Sequence, residues 1–359
     1  MSEEQFIVSA RKYRPSTWES VVGQDAITST IKHAIETGHL AQAFLFCGPR
    51  GVGKTTCARI FAKAINQAGS ADMEDYSFNV FELDAASHNS VDDIRVITEQ
   101  VRIPPQVGKY KVYVIDEVHM LTTNAFNAFL KTLEEPPPYA IFILATTEKH
   151  KIIPTILSRC QIYDFNRITI NDIAKHLAWI ATEENIKADT DALHVIAEKA
   201  DGALRDALSI FDQMVSFCGD HITYADVIKN LNILDYDYYF KITDYIVKNE
   251  IHQTLVVFDE IVNNGFDSHH FINGLGTHFR NLLVCKDTVT LKLLEVSDNV
   301  KEKYQQQSTI ASAKFLIDGL SIIGEADVHF KAAKNQRLLI ELALMKLCSL
   351  TTLGNEKKN

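Results

Sequence analysis

The stretch Gly48-Pro49-Arg50-Gly51-Val52-Gly53-Lys54-Thr55 fits the phosphate-binding pattern G-x-x-x-x-G-K-[ST]. It follows the apolar run Ala43-Phe44-Leu45-Phe46-Cys47, which reads as a buried strand, and it leads into an apolar-periodic segment, 57–65, that reads as a helix. Strand, glycine-rich turn and helix in that order are the setting in which such a loop holds a nucleotide. Gly48, Gly51 and Gly53 let backbone N–H groups turn inward around phosphate oxygens. Lys54 is placed to reach the β- and γ-phosphates, and the Thr55 hydroxyl to coordinate Mg²⁺. Val52 and Thr56 are counted with these as cofactor-binding residues, and ATP with Mg²⁺ is the expected cofactor.

Outward from this loop, residues 1–166 alternate apolar strands, at 43–47, 79–83, 111–115, 141–146 and 161–165, with helical stretches. That rhythm predicts a parallel α/β sheet. Beyond Asn166 no strand pattern stands out, while 3.6-residue spacing recurs at Ile173, Leu177 and Ile180, and at Leu193, Ile196 and Ala200. Helical periodicity reopens near Tyr224 and continues through Ile242, Ile246, Phe258 and Ile261 into the run 338–350. The expected fold class is therefore α/β plus all-α. A P-loop parallel-sheet domain spans 1–166, a small helical domain 167–223, a helical domain 224–353 and a polar tail 354–359.

With 359 residues, 46% of them hydrophobic, 23% charged and only 15 glycines, the composition is that of a folded, helix-rich protein of two or three domains. No apolar run reaches the length of a membrane span, and Met1-Ser2-Glu3-Glu4-Gln5 carries acids where a signal peptide carries bases. A cytoplasmic protein with no membrane partner is expected. The six cysteines are far apart, with no C-x-x-C pair, so buried thiols are expected and no zinc site. A net charge of −10 argues against coating nucleic acid unaided. It leaves room for contact through a few lysines, amides and helix N-termini.

A second run, Lys111-Val112-Tyr113-Val114-Ile115-Asp116-Glu117, is a strand ending in two acids. Beside a P-loop the first acid holds Mg²⁺ and the second polarises the attacking water, since hydrolysis needs both a metal and an oriented nucleophile. Thr146 closes the strand pattern 141–146, where a hydroxyl can sense a γ-phosphate, orient water or simply form a turn. Arg159, in Leu157-Ser158-Arg159-Cys160, stands between a helical turn and the next strand. It either faces a neighbouring subunit as an arginine finger or complements a helix C-terminus. Arg205 falls in the first turn of a helix read over 203–217, where a positive charge is locally unfavourable. Asp201, Asp206 or a phosphate would relieve it.

Taken together, Ala10-Arg11-Lys12-Tyr13-Arg14-Pro15, Val21-Val22-Gly23-Gln24, the P-loop, Glu82-Leu83-Asp84-Ala85-Ala86-Ser87, Ile115-Asp116-Glu117-Val118-His119-Met120, the run 126–137 and Ile156-Leu157-Ser158-Arg159-Cys160 resemble the gamma/tau subunits of the bacterial DNA polymerase III clamp loader. These are AAA+ ATPases. The match is dense over 5–215, and over 225–359 it extends only to the expected helical collar. The resemblance implies that Lys54 and Thr55 contact ATP and Mg²⁺, that Asp116 binds the metal and that Glu117 is the catalytic base. It further implies sensor roles for Thr146 and Arg205, an arginine finger at Arg159 acting on an adjacent subunit, and Arg11, Pro15, Val21 and Val22 around adenine and ribose. Implied partners are delta and delta-prime subunits, further copies of the chain, the beta sliding clamp and primer–template DNA, within a nucleoid-associated replisome. The segment 66–77 has no cysteine where relatives carry a zinc module, so zinc is not carried over. After Ser87, His88-Asn89-Ser90 stands where some relatives have basic residues. DNA contact there would rest on hydroxyl, amide and N–H groups, and a plain helix cap by Asn89 or Ser90 is the alternative. Tyr236, Tyr238, Tyr239 and Phe240 read as packing within the third domain or as a contact with a neighbour. Competing readings are a noncatalytic delta-prime-like scaffold and a branch-migration motor, the latter requiring a winged-helix pattern that the helical C-terminal part does not offer.

Overall fold

The apolar runs become the centre of a five-stranded parallel sheet in a computed structural model of the protein, which describes residues 7–67, 79–294 and 296–355. The amino-terminal segment carries α1 (Ser9–Lys12) and α2 (Asp25–Glu36), after which β1 (Ala43–Cys47) runs through the P-loop into α3 (Lys54–Gln67). Then follow β2 (Val80–Asp84), α4 (Val91–Val101), β3 (Lys111–Asp116), α5 (Thr123–Glu134), β4 (Ala140–Thr146), α6 (Pro154–Leu157) and β5 (Gln161–Asp164). The strand order is β2-β3-β4-β1-β5, and every pairing is parallel.

Burial explains why these segments read as continuous apolar runs rather than alternating ones. Every residue of β1 and β4 is buried, because helices cover both faces of a parallel sheet. On one face Leu45, Tyr113, Ile115 and Phe142 pack against Ile94, Phe126 and Phe129 of α4 and α5. On the other, Phe44, Phe46, Val114 and Ile143 pack against Ile31 of α2 and Phe61 and Ile65 of α3. Phe44, Phe46 and Phe142 are 0–1% exposed, and each such burial stabilises the fold by about 1.5–3 kcal/mol.

Helix starts follow local side-chain chemistry. Thr122 accepts a hydrogen bond from the Ala125 N–H at the start of α5. Ser90 caps α4 reciprocally with Asp93, so of the two cap candidates it is Ser90 that takes the role. After the sheet come α7 (Ile170–Glu183), β6 (Lys187–Ala188), α8 (Thr190–Lys199), α9 (Leu204–Cys218) and β7 (His221–Ile222). The strands β6 and β7 correct the expectation that no strand follows Asn166. They pair in parallel as a two-residue ladder, too short to leave a periodic signature.

The remaining elements are helical: α10 (Tyr224–Asn230), α11 (Tyr236–Val247), α12 (Ile251–Asn263), α13 (Ser268–Val284), α14 (Asp298–Ser308), α15 (Ala313–Phe330) and α16 (Gln336–Asn355). Of the expected tail 354–359, the first two residues continue α16 and the last four lie outside the described residues, as do 1–5 and the cysteine-free stretch 68–77. The chain divides into two compact units, Met1–Asn185 with Ile196–Phe217, and Ile186–Val195 with Cys218–Asn359. Cys47, Cys57 and Cys348 are buried, whereas Cys160, Cys218 and Cys285 are only half-buried, which corrects the expectation of uniformly buried thiols. Among the described residues no helix is long and apolar enough to cross a membrane.

The helical unit packs its aromatic run inward. Tyr239 is buried, Phe240 meets His278 edge-on at 4.8 Å, and the Tyr238 hydroxyl donates to Glu260 at 3.0 Å. His278 is the centre of a buried polar network. Gln307 donates through Nε2 to the Phe240 carbonyl and to Asp244, which turns its Oε1 toward His278 Nε2 at 2.8 Å. Nε2 therefore carries the hydrogen, and Nδ1 accepts from the Tyr304 hydroxyl at 3.1 Å. Burial lowers the imidazole pKa to about 4, with the Gln307 bond opposing the shift. An unfolded histidine binds its proton near pH ~6.5, so between that value and about 4 the unfolded state holds more protons. Stability then falls as pH drops through this window. Denaturant midpoints of the full chain, followed by helix content, should decline from pH 7 to 4.5, and His278→Gln, though less stable at pH 7, should show a shallower decline.

Candidate active site

The strand register sets the site. Cys47 of β1 lies level with Thr146 of β4 and Asp164 of β5, and Asp84 of β2 with Asp116 of β3. The P-loop, Asp116 and Thr146 thus emerge at one carboxyl edge of the sheet, where parallel α/β folds bind ligands. Gly48 enters the loop at φ 145°, and a Cβ there would lie 2.4 Å from the Phe165 carbonyl oxygen. Gly51 and Gly53 take φ 77° and 103°, conformations that favour glycine.

Lys54 opens α3 and is 6% exposed. Among the described residues its ammonium pairs with no carboxylate, and it donates to the carbonyls of Gly48 and Pro49, both at 2.7 Å. Burial lowers its pKa, and Glu117 and Asp116 oppose that shift. The Thr55 hydroxyl donates to Asp116 Oδ2 at 2.7 Å. Two hard oxygen donors in contact, one anionic, suit a small divalent cation such as Mg²⁺ bound through few protein ligands.

Glu117 follows in the left-handed region at φ 47°, and its N–H donates to Asp116 Oδ1 at 2.9 Å. Its carboxylate takes hydrogen bonds from the Thr147 hydroxyl at 2.9 Å and the Thr147 N–H at 3.3 Å. Thr146 is fully buried, its hydroxyl against His119 Nδ1 at 3.0 Å and the Glu148 N–H at 3.0 Å. The strand-end hydroxyl that reaches the acid pair is accordingly that of Thr147, one residue beyond the one singled out from sequence. Parity explains the difference, since consecutive side chains at a strand end point to opposite sides.

An open cleft gathers Gly51, Val52, Gly53, Lys54, Thr55 and Thr56 with Asp116 and Glu117. Pro15, Val21 and Val22 form an apolar wall, and Arg205 closes the cleft from α9. The Arg205 N–H donates to the Gly51 carbonyl at 3.4 Å, so the start of α9 rests on the P-loop. Neither Asp201 nor Asp206 pairs with Arg205; Asp201 instead pairs with Arg167. Gly48 does not line the cleft and acts through its carbonyl. Arg11 is exposed and also lies outside it, whereas Ala10, Tyr13 and Arg14 line it. Arg159 stands away from the cleft, its guanidinium on the Thr155 carbonyl at 2.7 Å and on Glu134 at 2.7 Å.

Sequence reading passed over Tyr13, Arg14, Ile168, Leu204 and Leu208 as lining residues. Tyr13 and Arg14 stand inside the quoted amino-terminal motif, and the other three carry only an ordinary core pattern. Burial and then the neighbouring Arg59 and Arg205 hold the Arg14 guanidinium below its usual pKa. Cations gathered this way favour an anionic ligand.

Three family models match consecutive parts of the chain. They are described as DNA polymerase III, delta subunit, over 23–169; DNA polymerase III clamp loader subunit, ATPase lid domain, over 172–220; and DNA polymerase III subunits gamma and tau domain III, over 222–359. DNA polymerase III subunit tau of Bacillus subtilis is 38% identical over 351 residues, covering 94% of this chain and 62% of that protein. DNA polymerase III subunit gamma of Buchnera aphidicola is 32% identical over 362 residues, covering 96% and 97%. The chain thus spans less than two thirds of the tau relative and nearly all of the gamma relative. Among solved structures, the Thermotoga maritima RuvB Holliday junction branch migration motor shares the fold, with a TM-score of 0.50 at 19% identity over 65% of this chain and 79% of that one.

The two glycines that open and close the loop differ in what they tolerate. Gly48→Ala drives a Cβ into backbone and should lower stability by roughly 2 kcal/mol or more and abolish nucleotide binding. Gly53→Ala meets no atom within 4 Å and carries only the strain of its φ. Thermal unfolding and titration with a fluorescent nucleotide analogue should rank the two in that order.

Proposed function

Because the chain belongs to the gamma/tau family of DNA polymerase III clamp-loader subunits, we propose that it is an ATP-driven motor that opens the sliding clamp and loads it on primer–template DNA. The observation that supports this most is the single cleft holding Lys54, Thr55, Asp116, Glu117 and Arg205. A scaffold subunit without turnover has no need of the second acid beside the metal-binding one.

In this reading the triphosphate replaces the Gly48 and Pro49 carbonyls as the partner of Lys54, and the P-loop N–H groups surround the β-phosphate. Thr55 and Asp116 hold Mg²⁺, which when bound neutralises developing charge on the phosphates. Glu117 orients the attacking water and accepts its proton. Pro15, Val21 and Val22 bury the adenine and ribose. Thr146 supports the sensing end of β4, and Arg205 links phosphate occupancy to α9 through the contact with Gly51. Arg159 exchanges its Glu134 partner for the nucleotide of an adjacent subunit, so that ATP draws neighbours together. Delta and delta-prime subunits, further copies of the chain, the beta clamp and primed DNA complete the assembly, working in the cytoplasm at the replisome. Hydrolysis releases clamp and DNA, and its energy goes into conformation.

The test is ATP hydrolysis by the purified chain, alone and then with delta, delta-prime, clamp and primed DNA. A low basal rate should rise sharply only with the full set. Glu117→Gln should bind ATP normally while turnover falls by about 100-fold or more. A rate indifferent to clamp and primer would point to another AAA+ role.

A further inference from the structure

We infer that His119 is a positioning residue that holds Glu117 at its working angle, an inference that rests on the reading of Glu117 as the base. His119 lies in the 3₁₀ turn Val118–Met120 that follows Glu117, and its side chain is 6% exposed. Its Nδ1 stands 3.0 Å from Thr146 Oγ1 and 3.4 Å from Glu117 Oε2, and its Nε2 lies 3.4 Å from Glu148 Oε1. The Nδ1–Thr146 contact has hydrogen-bond geometry and Glu117 Oε2 lies beside the same nitrogen, so this edge of the imidazole spans Glu117 and the end of β4.

All side-chain contacts of the carboxylate fall on one oxygen. Oε2 receives the Thr147 hydroxyl, the Thr147 N–H and the His119 contact, while among the described residues Oε1 accepts no hydrogen bond and Glu117 borders the cleft. One oxygen pinned and the other free is the arrangement a base needs to present a lone pair to water in a fixed direction. The left-handed backbone of Glu117 fits this, because a conformation that costs an L-residue about 1–2 kcal/mol persists only where surroundings over-determine it. Thr147 holds the carboxylate from just beyond β4, and His119 holds it from the turn, with Thr146 and Glu148 fixing the imidazole on its two sides. Displacing the turn would therefore swing the free oxygen while leaving the phosphate-binding loop where it is.

The experiment uses the full chain, in the assembly in which the unaltered chain turns over ATP, and measures nucleotide affinity, single-turnover hydrolysis and thermal unfolding. His119→Ala should slow hydrolysis between about tenfold and a hundredfold, as expected for a displaced reacting group, with affinity unchanged within about twofold. His119→Asn sets an amide N–H near the imidazole Nδ1 and should recover most of the rate. His119→Gln, which reaches the Nε2 position, should not. Added to Glu117→Gln, His119→Ala should slow hydrolysis no further, since the two act as one unit. Equal losses in the Asn and Gln variants that track a fall in Tm would overturn the inference in favour of plain packing. A His119→Ala rate at or above that of the unaltered chain would overturn it too, by making the contact a restraint. If Glu117→Gln slows hydrolysis and His119→Ala does not, the His119 inference falls while the function stands; if Glu117→Gln has no effect, both fall.

Discussion

Three buried parallel strands, β1, β3 and β4, carry the chemistry at their carboxyl ends, and the register between them is the constraint on which the cleft depends. The pairings of Cys47 with Thr146 and of Ile115 with Leu144 bring the P-loop, the acid pair and the strand-end hydroxyls to one level. A slip of one residue would move each side chain to the opposite face of the sheet. The phenylalanine-rich cores on both faces make such a slip costly, because it would transfer whole apolar sets between two differently shaped layers. The position of the acids relative to the loop is therefore a consequence of core packing.

Electrostatics in the cleft favour an anion. Lys54 is buried on neutral carbonyls, Arg14 is depressed by desolvation and then by like charges, and among the described residues Arg205 has no carboxylate partner. The carboxylates present are already engaged, Asp116 by Thr55 and Glu117 by Thr147. A polyphosphate would meet these cations without displacing the acids from their hydroxyl partners. This division, cations toward the ligand and acids toward hydroxyls, keeps a site with opposite charges from collapsing into internal ion pairs. Arg159 and Asp201 illustrate the alternative, since both are taken up by local ion pairs away from the cleft.

Much of the molecule was readable in one dimension because its signals are local. A P-loop announces itself by glycines that must take positive φ, and a parallel strand by an unbroken apolar run. Five strands read at 43–47, 79–83, 111–115, 141–146 and 161–165 emerge within about a residue at each end, since both faces of the central strands are covered and no alternation blurs their limits. The two-residue strands β6 and β7 escaped because two residues have no period.

For the candidate site, sequence by itself determined which residue types lie at the ends of which strands: a lysine and threonine after β1, two acids at the end of β3, two threonines at the end of β4. Covalent adjacency and strand periodicity suffice for that. Only the tertiary structure decided which of the two threonines meets Glu117, that Tyr13 and Arg14 rather than Arg11 turn into the cleft, and that Ile168, Leu204 and Leu208 line it. Those outcomes depend on the direction in which a short helix or a strand end presents its side chains to segments distant in sequence. That direction is set by the packing of the whole unit, and no local pattern of residues encodes it.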